Sequence, residues 1–140
     1  MSETNPNPNR PDPIMTVDGA RFWKAANEGR FTAQKCGGCS RLWHPPRAIC
    51  PECFSMDQQD YELSGRGTVI SWTMPIHPPA IGFESPPIVV LVETEEGPRY
   101  VSNIEGAAPE EIRFGMKVEV DFTTTKGGHK IPIFRPAKEA

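Results

Sequence analysis

The chain has 140 residues, room for one ordinary domain or two very small ones, with 37% hydrophobic and 24% charged residues. Sixteen prolines and twelve glycines, one residue in five, exclude a helical bundle or a long coiled coil and suit short strands joined by turns. A net charge of -3 argues against a general nucleic-acid binder, and no apolar run reaches the roughly 18 residues that a membrane-spanning helix needs.

Residues 1–15 open with Pro6, Pro8, Pro11 and Pro13 among asparagines, which predicts a disordered, solvated tail with almost nothing to bury. The stretch has no apolar core, so no secretory leader and a cytoplasmic location are expected. A second region, residues 16–62, begins with a short helix. Thr16 or Asp18 can cap its start and Gly29 can end it, giving about three turns. Phe22, Trp23 and Ala26 mark one face. Packing on its own domain is the first reading of that face, and a partner surface, where Trp and Phe anchor well, is the second.

Four cysteines follow as two C-x2-C pairs, Cys36 with Cys39 and Cys50 with Cys53, ten residues apart. Two residues between thiols let one tight turn aim both sulfurs at a common point. Gly37 and Gly38 ease the approach of backbone amides to the thiolates. Two facing knuckles supply four soft ligands in a tetrahedron, which suits zinc. Disulfides need an oxidising compartment, for which nothing in the chain speaks. A redox-active C-x-x-C would use one pair and leave the other idle. Four thiolates also hold iron. Ser40 and Phe54, where rubredoxin-type iron ribbons carry glycine, favour zinc, with iron as the remaining alternative. A four-thiolate site is closed to substrate, so its role is structural, one ion per chain. The segment 30–62 is too small to bury an adequate core, and the ion supplies the missing folding energy. Short strands at Phe31–Lys35 and Arg41–His44 flank the first knuckle, and Pro45-Pro46-Arg47 leads into the second.

The third region, residues 63–140, reads as five strands. They are Thr68–Thr73, Ile88–Glu93, Arg99–Ile104, Lys117–Phe122 and Ile131–Phe134, with a helical turn at Pro109–Ile112 between the third and fourth. The second is apolar on both faces, which predicts a central, doubly covered strand. The fourth alternates strictly, placing Val118, Val120 and Phe122 on the buried side. Pro132 puts the last at an edge or bulge. Five strands with that helix position are the order of an OB-fold barrel. The expected fold is therefore mostly β: an N-terminal helix, a zinc ribbon and a five-stranded OB-fold domain.

The matching residues are Phe22-Trp23, Cys36-Gly37-Gly38-Cys39, Pro45-Pro46-Arg47, Cys50-Pro51-Glu52-Cys53 and Leu63-Ser64-Gly65-Arg66-Gly67-Thr68-Val69, with Gly97-Pro98-Arg99, Gly115-Met116-Lys117-Val118 and Ile133-Phe134. With them the chain resembles, over residues 17–137, the acyl-CoA-associated OB-fold family with an N-terminal rubredoxin-like zinc ribbon, known as domain of unknown function thirty-five. The resemblance implies a non-catalytic accessory subunit in a hetero-oligomer with a thiolase-like enzyme, a lipid-transfer-type aldolase or a MaoC-type hydratase. It also implies a coenzyme A thioester as a ligand shared with that partner. On this reading Arg47, Arg66 and Arg99 are candidates for the phosphates of coenzyme A. His77, Ile81 and Phe83, on the proline-rich loop Pro75–Pro87, together with Phe22 and Trp23, are candidates for the acyl chain or the partner.

The competing class is a zinc-ribbon and OB-fold module for single-stranded nucleic acid, with Trp72, Tyr100 and Phe122 stacking bases. Near-balanced charge over the ribbon makes nucleic acid the weaker partner. Catalysis finds no footing either: the cysteines are committed to metal, and His44, His77 and His129 lie in no recognisable nucleophile motif. His44, beside the ribbon, reads as a surface group or as one packed behind the metal ligands.

Overall fold

The computed structural model describes residues 5–138; residues 1–4 of the expected tail lie outside the described residues. Helix α1 spans Ala20–Asn27, two turns rather than three. Thr16 does not cap it directly. Its Oγ1 instead accepts the Gly19 N–H at 3.0 Å, one residue before the helix starts. Gly29, at φ 77°, ends the helix as expected, and its N–H returns to the Ala26 carbonyl. The buried face is Phe22, Ala25 and Ala26, while Trp23 is partly covered.

Three strands form the ribbon sheet: β1 (Thr32–Cys36), β2 (Leu42–Trp43) and β3 (Gln58–Glu62), in the order β2-β1-β3 and antiparallel throughout. The strand β3, Gln-Gln-Asp-Tyr-Glu, carries no apolar alternation and lies on the solvent side. Its pairing with β1, Thr32 opposite Glu62 through Cys36 opposite Gln58, is what orders it. Arg21 of α1 ties the helix to this strand through Asp60 at 2.6 Å and the Gln58 carbonyl at 3.2 Å.

The remaining strands are β4 (Arg66–Thr73), β5 (Ile88–Thr94), β6 (Arg99–Ile104), β7 (Lys117–Thr124) and β8 (Lys130–Pro136). They close a barrel in the order β4-β5-β6-β8-β7, with a 3-10 turn at Pro109–Glu111 between β6 and β7. This is the five-stranded OB arrangement. Gly67 makes the β4–β5 approach possible: a Cβ there would sit 2.6 Å from Val92 Cγ1 and 2.7 Å from the Glu93 carbonyl. Val69, Val90, Val92, Tyr100, Ile104, Ile112, Val118 and Phe134 fill the interior. Strand β5 differs from expectation. Ile88, Val90 and Val92 are buried, but Val89, Leu91 and Glu93 on the outer wall are only half-buried. A closed barrel has one lumen, so one face of each strand points away from it. Along β7, Val118 is buried and Val120 and Phe122 pack against the core from partly covered positions.

The β6–β8 seam is thin. These strands are parallel and paired only at Ile104 opposite Phe134. Pro132 has no N–H to offer a neighbour. Instead Ser102 Oγ donates to the Pro132 carbonyl at 2.9 Å.

At Asn5, Arg10 and Asp12 the leading segment is bonded to the barrel, where a solvated tail was expected, while most of its other residues, Ile14 and Val17 among them, are exposed. Arg10 is 5% exposed. Its guanidinium donates to Asn103 Oδ1 and Glu105 Oε1, each at 3.0 Å, and lies over the Phe83 ring at 4.7 Å. Asp12 accepts from Thr125 Oγ1 at 2.5 Å and from the Gly127 N–H at 2.8 Å. Composition missed this because a proline-rich strip needs no core of its own when one arginine is desolvated and paired against another element. Among the described residues no helix is long and apolar enough to cross a membrane.

Candidate metal centre and the cavity beside it

The two knuckles face each other. Cys36 Sγ lies 3.5 Å from Cys53 Sγ, Cys39 Sγ lies 3.6 Å from Cys50 Sγ, and all four sulfurs fall within 4.8 Å of one another. Sulfurs bound at about 2.3 Å around one tetrahedral ion stand about 3.8 Å apart, so the donor set fits a single ion. None of the four is in a disulfide. Cys36 and Cys50 are fully buried, while Cys39 and Cys53 face outward.

Backbone amides point at the sulfurs. The Gly38 N–H donates to Cys36 Sγ at 3.3 Å and the Glu52 N–H to Cys50 Sγ at 3.4 Å. The amides of Cys39 and Gly38 hold the Cys36 thiol well below its ordinary range. At Cys53 the Ser55 amide pulls the thiol down, but the proton shared with Cys36 and burial outweigh it and push the thiol up. The cluster thus already favours the thiolate form that a metal requires at one corner.

Gly37 and Gly38 matter for space. A Cβ on Gly37 would strike the Asp57 carboxylate, and one on Gly38 would lie 3.1 Å from Ser55 Cβ and 3.3 Å from Cys53 Sγ. Positive φ is needed one step later, at Ser40 (66°) and Phe54 (63°), whose N–H groups close each knuckle on the Cys36 and Cys50 carbonyls. Arg41 pairs with Glu52 and clamps one knuckle to the other. Trp43, 7% exposed, packs with Cys36 and Cys50 as a small second core.

The ribbon joins the barrel through aromatic rings. Tyr100 of β6 donates its hydroxyl to the Thr32 carbonyl of β1 at 2.9 Å. Its ring stacks on His44 at 4.1 Å and meets Phe31 at 4.5 Å. Phe22 lies 4.7 Å from His44. His44 is therefore not a surface group. Burial lowers its pKa to about 4, so the ring is neutral, and its Nδ1 is buried without a hydrogen-bond partner. Around these rings, between α1, the Pro45-Pro46 turn and the β6–β8 seam, lies a cavity of about 280 Å³.

Of the residues expected to bind ligand or partner, Phe22 and Trp23 line this cavity. The others are dispersed. Arg47 is exposed, and its backbone N–H is held by Gln34 Oε1 at 2.6 Å. Arg66 pairs with Glu95 and Arg99 with Glu93, each Nε at 3.0 Å. Arg99 borders a shallow groove against Arg41–His44, whereas Arg66 borders a different one with Lys117. The three arginines do not converge. His77 and Ile81 (82% exposed) stand on the β4–β5 loop, and Phe83 is half-buried under Arg10. His44, Phe31, Tyr100 and Phe134 are cavity residues that the sequence did not mark as ligand or partner contacts. Tyr100 is buried, which removes it from the base-stacking set.

The family models of the ChsH2 rubredoxin-like zinc ribbon domain and the ChsH2 C-terminal OB-fold domain match residues 23–57 and 60–123. A DUF35 domain-containing scaffold protein of Pyrococcus furiosus is 39% identical over 104 residues, which cover 72% of this chain and 75% of that protein. The chain belongs to the DUF35 family. This DUF35 chain is also 40% identical over 137 residues to a probable enoyl-CoA hydratase alpha subunit of Thermomonospora curvata. That alignment takes in 98% of the chain but 43% of the relative, so the chain spans less than half the relative's length. Among solved structures, one described as the Ltp2-ChsH2(DUF35) aldolase matches with a TM-score of 0.86 and 40% identity, over 91% of this DUF35 chain and 100% of the other.

Proposed function

We propose that the chain is a non-catalytic accessory subunit that binds an enzyme of acyl-CoA metabolism: a thiolase-family enzyme, a lipid-transfer-type aldolase or a MaoC-type hydratase. It assists acyl-CoA binding or the stability of the complex, while the partner supplies the catalytic residues. The observation that carries this reading is the match, over the whole of the other chain, to the structure described as the Ltp2-ChsH2(DUF35) aldolase. The metal centre supports it, because a closed four-thiolate site holds structure and leaves no position for substrate.

Co-expression with a thiolase, aldolase or hydratase of acyl-CoA metabolism from the same organism tests the proposal. A complex that co-elutes, with enzyme activity that falls when the chain is left out, is the expected result. Two well-folded proteins that never co-elute would overturn it. A hydratase in place of an aldolase in the complex would identify the partner class.

A further inference from the structure

The cavity between α1, the ribbon and the barrel is walled by rings: Phe22, Trp23, Phe31, Tyr100 and Phe134. No carboxylate, lysine or arginine lines it, so an ionised group would lose its hydration there with nothing to replace it. Its volume of about 280 Å³ compares with the ~150 Å³ cavity that holds one benzene ring. Several polar groups of the lining are already out of play. Tyr100 donates to Thr32 and Ser102 to Pro132, and His44 Nδ1 is buried with almost no accessible surface. The indole N–H of Trp23 is different. It has no acceptor among the described residues, and an indole N–H can only donate. Gly19 and Thr16, which also line the cavity, lie beside it. A Cβ on Gly19 would stand 2.8 Å from Thr16 Oγ1 and 3.8 Å from Trp23 Nε1, so the missing methyl group marks a space that both atoms flank. Thr16 Oγ1 accepts the Gly19 N–H, which leaves its own hydrogen to donate. Two donors beside one small space suit an acceptor that brings no hydrogen of its own, and a carbonyl oxygen with its two lone pairs is such a group.

We propose that this cavity binds a neutral apolar group, up to about two rings in bulk, whose carbonyl oxygen is seated beside Gly19 on the Trp23 indole N–H and the Thr16 hydroxyl. The apolar body of the ligand lies against the ring walls, and the oxygen fixes its direction. The inference concerns the cavity of this chain alone and does not rest on the accessory-subunit reading.

The test is an NMR titration of the intact, metal-loaded chain with 1-indanone and with indane, its hydrocarbon counterpart. The expected result is saturable one-site binding of 1-indanone, roughly fivefold tighter than indane, with the Trp23 indole proton moving downfield for the ketone alone. Trp23→Phe keeps a ring in the wall and removes the N–H; it should erase the ketone preference while indane still binds. Gly19→Ala fits the helical backbone there, φ -80° and ψ -17°, and sets a methyl group on the carbonyl seat, so it should weaken 1-indanone more than indane. Absence of saturable 1-indanone binding, indane binding as tightly as the ketone, or a ketone preference that survives Trp23→Phe would each overturn the proposal. Where Trp23→Phe does not fold, the Trp23 indole proton of the unaltered chain decides: it moves downfield with 1-indanone and not with indane, or the proposal fails.

Discussion

Two residues hold positions at odds with their chemistry. Phe54 adopts φ 63° at 75% exposure, so it carries the left-handed strain of a bulky side chain without packing in return. Phe54→Gly should raise stability by up to about 1 kcal/mol, read as a higher midpoint in urea with an unchanged slope. A fall in the midpoint would mean that the Phe54 ring packs in solution. His44 is the second case. The unfolded chain takes up a proton at this ring near pH 6.5, whereas the folded chain resists until about pH 4, because burial disfavours the charged form. Between those values the unfolded state binds more protons, so stability drops as pH falls through the window. The stability difference between the unaltered chain and His44→Phe, followed from pH 7 to pH 4, should shrink by on the order of 2–3 kcal/mol. A difference independent of pH would show that the ring is solvated.

At the level of elements, the ribbon depends on its ion. Its own core is Cys36, Trp43 and Cys50, far too little to order three strands and two knuckles. Metal analysis should give about one zinc per chain, and a chelator under reducing conditions should abolish the ribbon's amide protection before that of the barrel. Undiminished protection after metal loss would contradict this. The two elements also differ in how openly the sequence announced them. The knuckles were legible because the C-x2-C spacing is itself the geometry, and four of the five barrel strands carry β-branched runs. Strand β3 was illegible as a strand, since Gln58 to Asp60 have no apolar face and owe their order to β1. The strip around Arg10 was illegible for a related reason: its partners, Asn103 and Glu105, lie more than ninety residues away.

For the molecule as a whole, the junction between ribbon and barrel is aromatic, with a single hydroxyl bond at its centre. Tyr100→Phe removes the donor to the Thr32 carbonyl and keeps the ring contacts with His44 and Phe31. It should cost about 1–2 kcal/mol and loosen the ribbon relative to the barrel, visible as faster amide exchange in β1. An unchanged melting curve and unchanged exchange would show that stacking alone holds the junction. This meeting of parts is also where sequence reasoning stopped. Phe22 and Trp23 stood out as a pair of large residues on one helix face. Phe31, His44, Tyr100 and Phe134 come from four other segments, and only the closed fold brings them to one place.

The proline at 132 shapes that place from the other side. A residue with an N–H there would let β8 zip further along β6, and each added rung would draw the two strands together. With Pro132 the parallel ladder stops at one rung, and Ser102 supplies a side-chain stitch in place of the next. The barrel therefore closes beside its ring-lined hollow on one paired position and one side-chain stitch, fewer than any other two neighbouring strands in it share.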